Sequence, residues 1–372
     1  MSRARDFADL AGSADAGGIT GRNLIINGAM QVAQRGTSET GVTTTGVFVL
    51  DRFDLNVADT AEYTISQSTT TPDGFANSMK WDNTTANASP SSGQYALFSQ
   101  KIEGQNLQHL KYGTASAQSM TLSFWVRSNK TGTYVCELLA PDASNRHINK
   151  SYTISSADTW EHKTITFPGD TSGVINDDNG SGLNVTWWLG AGSAYSSGTL
   201  QTSWGALDQT ARAVGNVNLS DSTSNEWYIT GVQLEVGEKA TPFEHLSQEE
   251  DLLKCQRYFH MIRAVTAYSP IGVGRAWSTS RTSSCYYLPR PMRANPTISI
   301  NNASYFEVAG LGGNPNAIHN DGAVGSFSGG SSGVHGVKIG MGSSTAAFTT
   351  GTIYQLESNN STNMEISITA EL

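Results

Sequence analysis

Charge is scarce in this chain. Only 15% of its 372 residues are Asp, Glu, Lys or Arg, against roughly 25% in ordinary soluble domains. The 23 Lys and Arg are outnumbered by 32 Asp and Glu, for a net charge of −9 at pH 7. No block of five or six basic residues occurs, so sequence-independent binding to nucleic-acid phosphates or to an anionic membrane surface has no electrostatic footing. Cysteine is rarer still. Cys136, Cys255 and Cys285 cannot all pair within one chain and no C-x-x-C is present, which argues against a disulfide framework or a thiolate zinc site. Free thiols fit assembly in a reducing cytoplasm. No window of 18 apolar residues exists, so no helical span and no membrane insertion are expected. The opening MSRARDFADLAGSADAGG lacks the continuous apolar run of a secretory signal.

Catalytic motifs are also missing. The seven histidines, at 109, 147, 162, 245, 260, 319 and 335, include no H-x-H, H-x-x-x-H or H-E-x-x-H. There is no P-loop and no G-x-G-x-x-G opening a helix. His319 and His335 are the one pair weighed as metal ligands. Glu137, Asp177, Asp178 and Glu226 are the carboxylates weighed for glycoside hydrolysis, which needs two of them facing one bond. The acidic turn Asn176–Gly182 offers hard oxygens that could hold calcium, but it lacks a full calcium-loop register and reads first as a solvated hairpin turn.

Glycine, at 38 residues, and neutral Ser, Thr and Asn fill the space that charge leaves. They suit short strands joined by tight turns, because Gly and Asn reach positive φ cheaply and Thr tolerates a pleated surface. MTLSFWVRS puts Met120, Leu122, Phe124 and Val126 on one face and Thr121, Ser123, Trp125 and Arg127 on the other, the period-two mark of a half-buried strand. TYVCELL, WEHKTITF, LNVTWWL and EWYITGVQLEV behave alike, with turn signals at Pro141-Asp142 and Pro168-Gly169. The expected class is mainly β: an antiparallel jelly-roll sandwich, a short linking helix, then a C-terminal sandwich-like β domain. The boundaries read as a polar leader at 1–22, the jelly roll at 23–245, the helix at 246–262 and the C-terminal domain at 263–372. The last residues, NMEISITAEL, alternate with Met364, Ile366, Ile368, Ala370 and Leu372 on one side. A Gly-rich run from about 310 to 336 is too polar for core and is a candidate binding loop.

The helix signal has sound start chemistry. Ser247 and Glu250 form a capping box, and Glu249, Glu250 and Asp251 complement the dipole. Leu252, Cys255, Phe259 and Ile262 then follow at i, i+3, i+7 and i+10, an a/d seam that predicts either packing on the chain's own sandwich or a short parallel bundle between copies. Among the eight Trp, Trp187 falls with Val185 and Leu189 and reads as core, while Trp188 points the other way. Sugars stack their C–H faces on exposed rings beside polar groups. Trp125, Arg127, Trp188, Tyr195 and Trp204 are the candidate glycan platform, weighed against burial in the core or between subunits.

Two stretches carry a resemblance. NLIINGAMQVAQRG at 23–36, followed by LDRF at 50–53, resembles the start of tail-fibre and related virion proteins of tailed bacteriophages. WYITGVQLEVGEKATPFEH at 227–245, running into EEDLLKCQRYF at 249–259, is similar to the same group, and PMRANPTISI at 291–300 looks like the opening of their terminal β domains. SFWVRS, Trp160 and WYITGVQLE also resemble the jelly roll of carbohydrate-binding modules. The resemblance implies a homotrimer assembled in the host cytoplasm and carried in the virion tail. Its N-terminus would meet other virion tail proteins, and it would contact a host-surface glycan or protein. Such modules often carry an acidic pair that helps to hold calcium where this chain has Thr230-Gly231, so no cofactor is expected and calcium is only weakly supported. The leading reading is a non-enzymatic fibre or spike subunit that mediates host adsorption. The alternatives are a polysaccharide depolymerase tailspike and a head-decoration or adaptor protein.

Overall fold

The computed structural model describes residues 21–310, 324–329, 333–343 and 348–372. Nearly all of the expected leader, most of the Gly-rich run and His319 lie outside the described residues. The chain divides into two units, Met1–Leu252 with Leu372, and Leu253–Glu371.

The first unit contains β1 (Ser38–Val42), β2 (Asp54–Ala58), β3 (Glu62–Ser68), β4 (Ser78–Thr85), β5 (Tyr95–Glu103), β6 (Met120–Ser128), β7 (Gly132–Ala140), β8 (Arg146–Ile154), β9 (Glu161–Phe167), β10 (Ser181–Ala191) and β11 (Glu226–Val236). They form two antiparallel sheets, ordered β1-β3-β4-β11-β6-β9 and β2-β5-β10-β7-β8. The period-two faces meet between them, as the alternation requires. Met120, Leu122, Phe124 and Val126 of β6 lie in one core with Val185, Trp187 and Leu189 of β10 and Trp227 and Ile229 of β11. Aromatic rings dominate its centre: Phe98 stacks on Phe53 at 4.7 Å and meets Trp187 at 5.6 Å and Trp227 at 5.8 Å. The expected mainly-β sandwich is what forms.

The second unit contains β12 (Phe259–Arg263), β13 (Pro270–Ser278), β14 (Arg281–Tyr287), β15 (Thr297–Ile300), β16 (Phe306–Gly310), β17 (Val324–Gly329), β18 (Gly336–Ser343), β19 (Ile353–Ser358) and β20 (Glu365–Thr369). Its sheets run β12-β20-β15 and β16-β19-β13-β14-β18-β17. The terminal alternation is realised: Met364, Ile366, Ile368 and Ala370 are buried in the core of this unit, and β20 is the central strand of its sheet.

The helix is shorter than its sequence pattern. It spans Gln248–Gln256, and the chain then enters β12, whose Phe259 pairs with Thr369 and Ile262 with Ile366. Phe259 and Ile262 are therefore strand residues, and Leu252, Cys255, Phe259 and Ile262 make no continuous helical seam. Cys255 and Phe259 are buried, while Ile262 packs against the core of the second unit. The spacing of apolar residues fits both periods over so short a stretch, and the hydrogen bonds offered by β20 decide for the strand. The capping box does form: Ser247 N–H donates to Glu250 Oε2 at 3.1 Å, and Glu250 N–H donates to Ser247 Oγ at 3.2 Å.

The stretch 21–36 is locked into the first unit by side chains. Asn27 has a left-handed backbone (φ 61) and no exposed surface, a conformation that Asn tolerates better than most residues. Its amide Nδ2 donates to Val32 O at 2.9 Å and Asp51 O at 3.0 Å, and its Oδ1 accepts from Val32 N–H at 2.9 Å. Its own N–H donates to Asp251 Oδ1 at 3.1 Å, and Gln31 Nε2 donates to Asp251 Oδ2 at 2.8 Å. Asn23 Nδ2 donates to Val232 O at 3.1 Å, while its Oδ1 accepts from Leu234 N–H at 3.1 Å. Gly28 must be glycine, since a Cβ there would sit 2.1 Å from Val232 O. The stretches 23–36 and 227–245 are thus bonded to one another in the fold.

Asn27→Ala removes three buried hydrogen bonds and leaves the Val32 N–H without its acceptor, and is expected to cost about 2–3 kcal/mol. Thermal or urea unfolding measures this, and a transition unchanged from the wild type would show that the lock carries no stability.

Candidate functional site

The outer faces of the two sheets of the first unit are covered to different extents. On the five-stranded sheet, Trp188 does point away from the core residue Trp187, as its position on β10 requires. It is nevertheless fully buried. The segment 192–218 runs over that face as a strap and pairs with the edge strand β8: His147 and Gly205 exchange backbone hydrogen bonds of 3.0 and 3.2 Å, and Asn149 N–H donates to Gln201 O at 2.7 Å. Tyr195, from the single helical turn Ser193–Ser196, closes on Trp188 at 5.4 Å and on Tyr95 at 5.5 Å.

A saturated carboxylate fastens the strap. Glu137 of β7 has no exposed surface. Its Oε1 accepts from Arg212 Nε at 2.9 Å and His147 Nδ1 at 3.0 Å, and its Oε2 accepts from an Arg212 terminal nitrogen at 2.7 Å and Trp188 Nε1 at 3.3 Å. The Arg212 fork is bidentate, and the same guanidinium lies 5.0 Å over the Trp188 ring. His147 Nε2 accepts from Asp208 N–H at 3.3 Å, which assigns the ring proton to Nδ1. Burial pushes the Glu137 carboxyl up, but the hydrogen bonds from His147 and Arg212 outweigh it and hold the group below its ordinary value. All four acceptor positions of the carboxylate are used. Glu137, weighed as a hydrolytic carboxylate, is thereby committed to structure.

The six-stranded sheet leaves only part of its outer face open: Thr121, Ser123, Thr230, Gln233 and Glu235 are covered, while Trp125, Arg127 and His162 reach solvent. Trp125 is half-buried on β6, opposite the exposed His162 of β9 and 5.1 Å from its ring. The other neighbour of Trp125 is Thr230, where β11 bulges. Gly231 in that bulge has φ +61, and a Cβ on it would meet Phe75 at 2.6 Å and Trp125 at 3.1 Å. Phe75 in turn contacts Phe243 at 5.1 Å and the exposed His245 at 5.2 Å. The rings of Trp125, Phe75 and Phe243 thus form a partly exposed patch on a rigid sheet. Beside it, the Tyr228 ring lies under Arg127 at 5.0 Å, and its hydroxyl donates to Glu226 at 2.6 Å, which also pairs with Lys80 at 2.7 Å. Arg127 donates to Asp158 Oδ1 at 2.9 Å.

The five residues expected to share one platform are therefore divided. Trp188 and Tyr195 meet under the strap, while Trp125 and Arg127 lie on the opposite sheet. Trp204 is half-buried at a third place, with Nε1 donating to Pro168 O at 2.7 Å and its ring 5.7 Å from Tyr112. Strand parity tells which face a ring takes but not whether another segment covers that face. Phe75, Phe243 and His245 were missed because loops bring them to Trp125, and His162 because the pairing of β9 with β6 does; the one available signal was Thr230-Gly231 within a strand pattern. Thr230, standing where the resemblance would put an acidic residue, donates its hydroxyl to Asn77 O at 2.7 Å. The Asn176–Gly182 turn is closed by Asp178, which accepts from Gly180 N–H at 2.7 Å. Among the described residues, no three His, Cys, Asp or Glu side chains group as metal ligands.

Glu137→Gln leaves the Arg212 guanidinium without its counterion, at an expected cost on the order of 3 kcal/mol and with faster proteolysis inside 192–218. The folded-state shift of Glu137 is downward from 4.5, so its stabilisation is complete above that value and is lost as pH falls through the lowered one. Unfolding of wild type and variant between neutral and acid pH measures this. A variant as stable as the wild type at neutral pH would mean that the strap holds without the ion pair.

No family model matches the chain, and no curated protein matches it. Among solved structures, it is similar to the enzymatically active domain of tailspike protein 4 of bacteriophage CBA120, with 13% identity, 58% of this chain and 22% of that chain covered, and a TM-score of 0.33. The match thus spans less than a quarter of that tailspike chain. It is also similar to a family 11 carbohydrate-binding module from Clostridium thermocellum in complex with a β-1,3-1,4-mixed-linked tetrasaccharide, with 13% identity, 56% and 99% coverage and a TM-score of 0.28. The C-terminal family 22 carbohydrate-binding module of Clostridium thermocellum Xyn10B matches with 13% identity, 55% and 98% coverage and a TM-score of 0.30. The chain's own sheets make it an antiparallel β-sandwich protein.

Proposed function

We propose that this chain is a non-enzymatic structural subunit of a tailed-bacteriophage fibre or spike, trimeric in its working state, which contacts host-surface glycan. The fibre assignment rests on the two stretches at 23–36 and 227–245 and on their mutual hydrogen bonding. The observation that carries glycan contact is the patch of Trp125, Phe75 and Phe243 at the Gly231 bulge, with its rings partly exposed on a rigid sheet. Flat apolar rings flanked by the polar His162 and His245 suit the C–H faces and hydroxyls of a neutral sugar. The buried Trp188 contributes by holding the strap and so stiffening the unit. In this reading the leader at 1–22 meets other tail proteins, and assembly takes place in the host cytoplasm before release in the virion.

Trp125→Ala should weaken binding of the purified protein to host cells by about three- to tenfold, from loss of one stacking ring, with an unchanged melting temperature. Binding equal to wild type would remove this patch from the interface. Immunogold labelling of particles should mark the tail, whereas label confined to the head would replace the fibre reading with the decoration reading. Light scattering should give the mass of three chains.

A further inference from the structure

The second unit carries its own open face. Its six-stranded sheet buries Ala276, Val337, Ile339, Tyr354 and Leu356 on the inner side. On the outer side, Val273, Trp277, Tyr287 and Ile353 remain 52%, 50%, 83% and 53% exposed. Register puts them on neighbouring strands: Arg275 lies opposite Ile353 and Ser283, and Cys285 lies opposite Lys338. The cations on this face are Arg275, Arg281 and Lys338, all exposed. The Arg281 guanidinium lies 5.5 Å over the Trp277 ring. Among the described residues, none of the three is in an ion pair with a carboxylate. The acids on the same side, Glu307 and Glu357, are buried at the β16 end, where Gln355 donates to Glu357. Glu357 stands four residues along β19 from Ile353, about 13 Å away at the rise of a strand.

A cluster of three unpaired cations is out of character for a chain of net charge −9. Two copies related by a two-fold axis through this face would set these cations against each other, which disfavours self-association here. The exposed Trp277 and Tyr287 rings offer stacking surface for sugars, and the guanidinium and ammonium groups match carboxylates repeated along a polymer. We propose that this face binds an acidic polysaccharide, one whose uronic-acid-type carboxylates meet Arg275, Arg281 and Lys338 while a ring stacks on Trp277. This site is distinct from the Trp125 patch and goes beyond the neutral-glycan reading.

The test is affinity gel electrophoresis of the full chain in polygalacturonate, with dextran as the neutral polymer. Polygalacturonate should retard the wild type and dextran should not do so through this face. Trp277→Ala should weaken retardation about tenfold through loss of stacking, and the double variant Arg275→Glu with Arg281→Glu should abolish it. Retardation should also vanish at about 0.5 M salt, where exposed charges are screened. Melting temperatures should stay unchanged, since these side chains lie on the surface. Trp125→Ala separates the two sites: it should leave polygalacturonate binding intact even where it lowers binding to host cells. The proposal is overturned if polygalacturonate does not retard the wild type. It is overturned equally if the variants bind like wild type, or if Trp277→Ala lowers the oligomeric mass, which would make the face a contact between copies.

Discussion

Asp251 and Asn27 form the bond on which the first unit closes. The backbone of 21–36 joins neither sheet, and besides its backbone bonds to Leu234, Val232 and Asp51 it is held by side chains. Asn27 reverses the chain in a left-handed conformation and spends its amide on Val32 and Asp51, while Asp251 reaches back from the first turn of the helix to take the Asn27 N–H. A buried carboxylate is tolerable only when its oxygens are occupied, and here Gln31 takes the second one. Residues 224 positions apart in sequence are thereby held in one site.

The same rule, applied on the other side of the unit, decides which surface is available. Glu137 receives four donors, and the arginine that supplies two of them comes from the strap. The carboxylate therefore draws 192–218 down over Trp188 and closes the five-stranded face. On the six-stranded face the anchoring is confined to one end, where buried Gln233 and Glu235 of β11 accept from Glu244 and Thr241 N–H and hold 241–244 down. The charges of this face pair among themselves, Lys80 with Glu226 and Arg127 with Asp158, at the edge of the aromatic patch. Trp125 stays half-exposed because the segments recruited here, 75–77 by Thr230 and 241–244 by Gln233 and Glu235, border its ring without sealing it.

Much of the fold was legible. The parity of MTLSFWVRS and NMEISITAEL placed Leu122, Phe124, Ile366 and Ile368 inside correctly, because a strand has only two faces and an apolar set must take the dry one. The capping box at Ser247 and Glu250 formed as read, since it depends on four consecutive residues alone. The helix end failed for the opposite reason: Phe259 and Ile262 answer to β20, more than a hundred residues away. The candidate site was legible only in part. Trp125 and Trp188 were both assigned to outer faces, and both assignments hold, yet one ring is half-exposed and the other sealed.

What the sequence determined by itself was everything set by near neighbours: a mainly-β class, the strand faces, the helix start and the free thiols. Short-range sterics and period-two burial act within a few residues, so they can be read along the chain. Only the tertiary structure decided which outer face lies open, which carboxylate is saturated and which rings come together at Gly231. These depend on segments that meet across long stretches of chain, where the hydrogen bonds demanded by a buried charge outweigh any local preference.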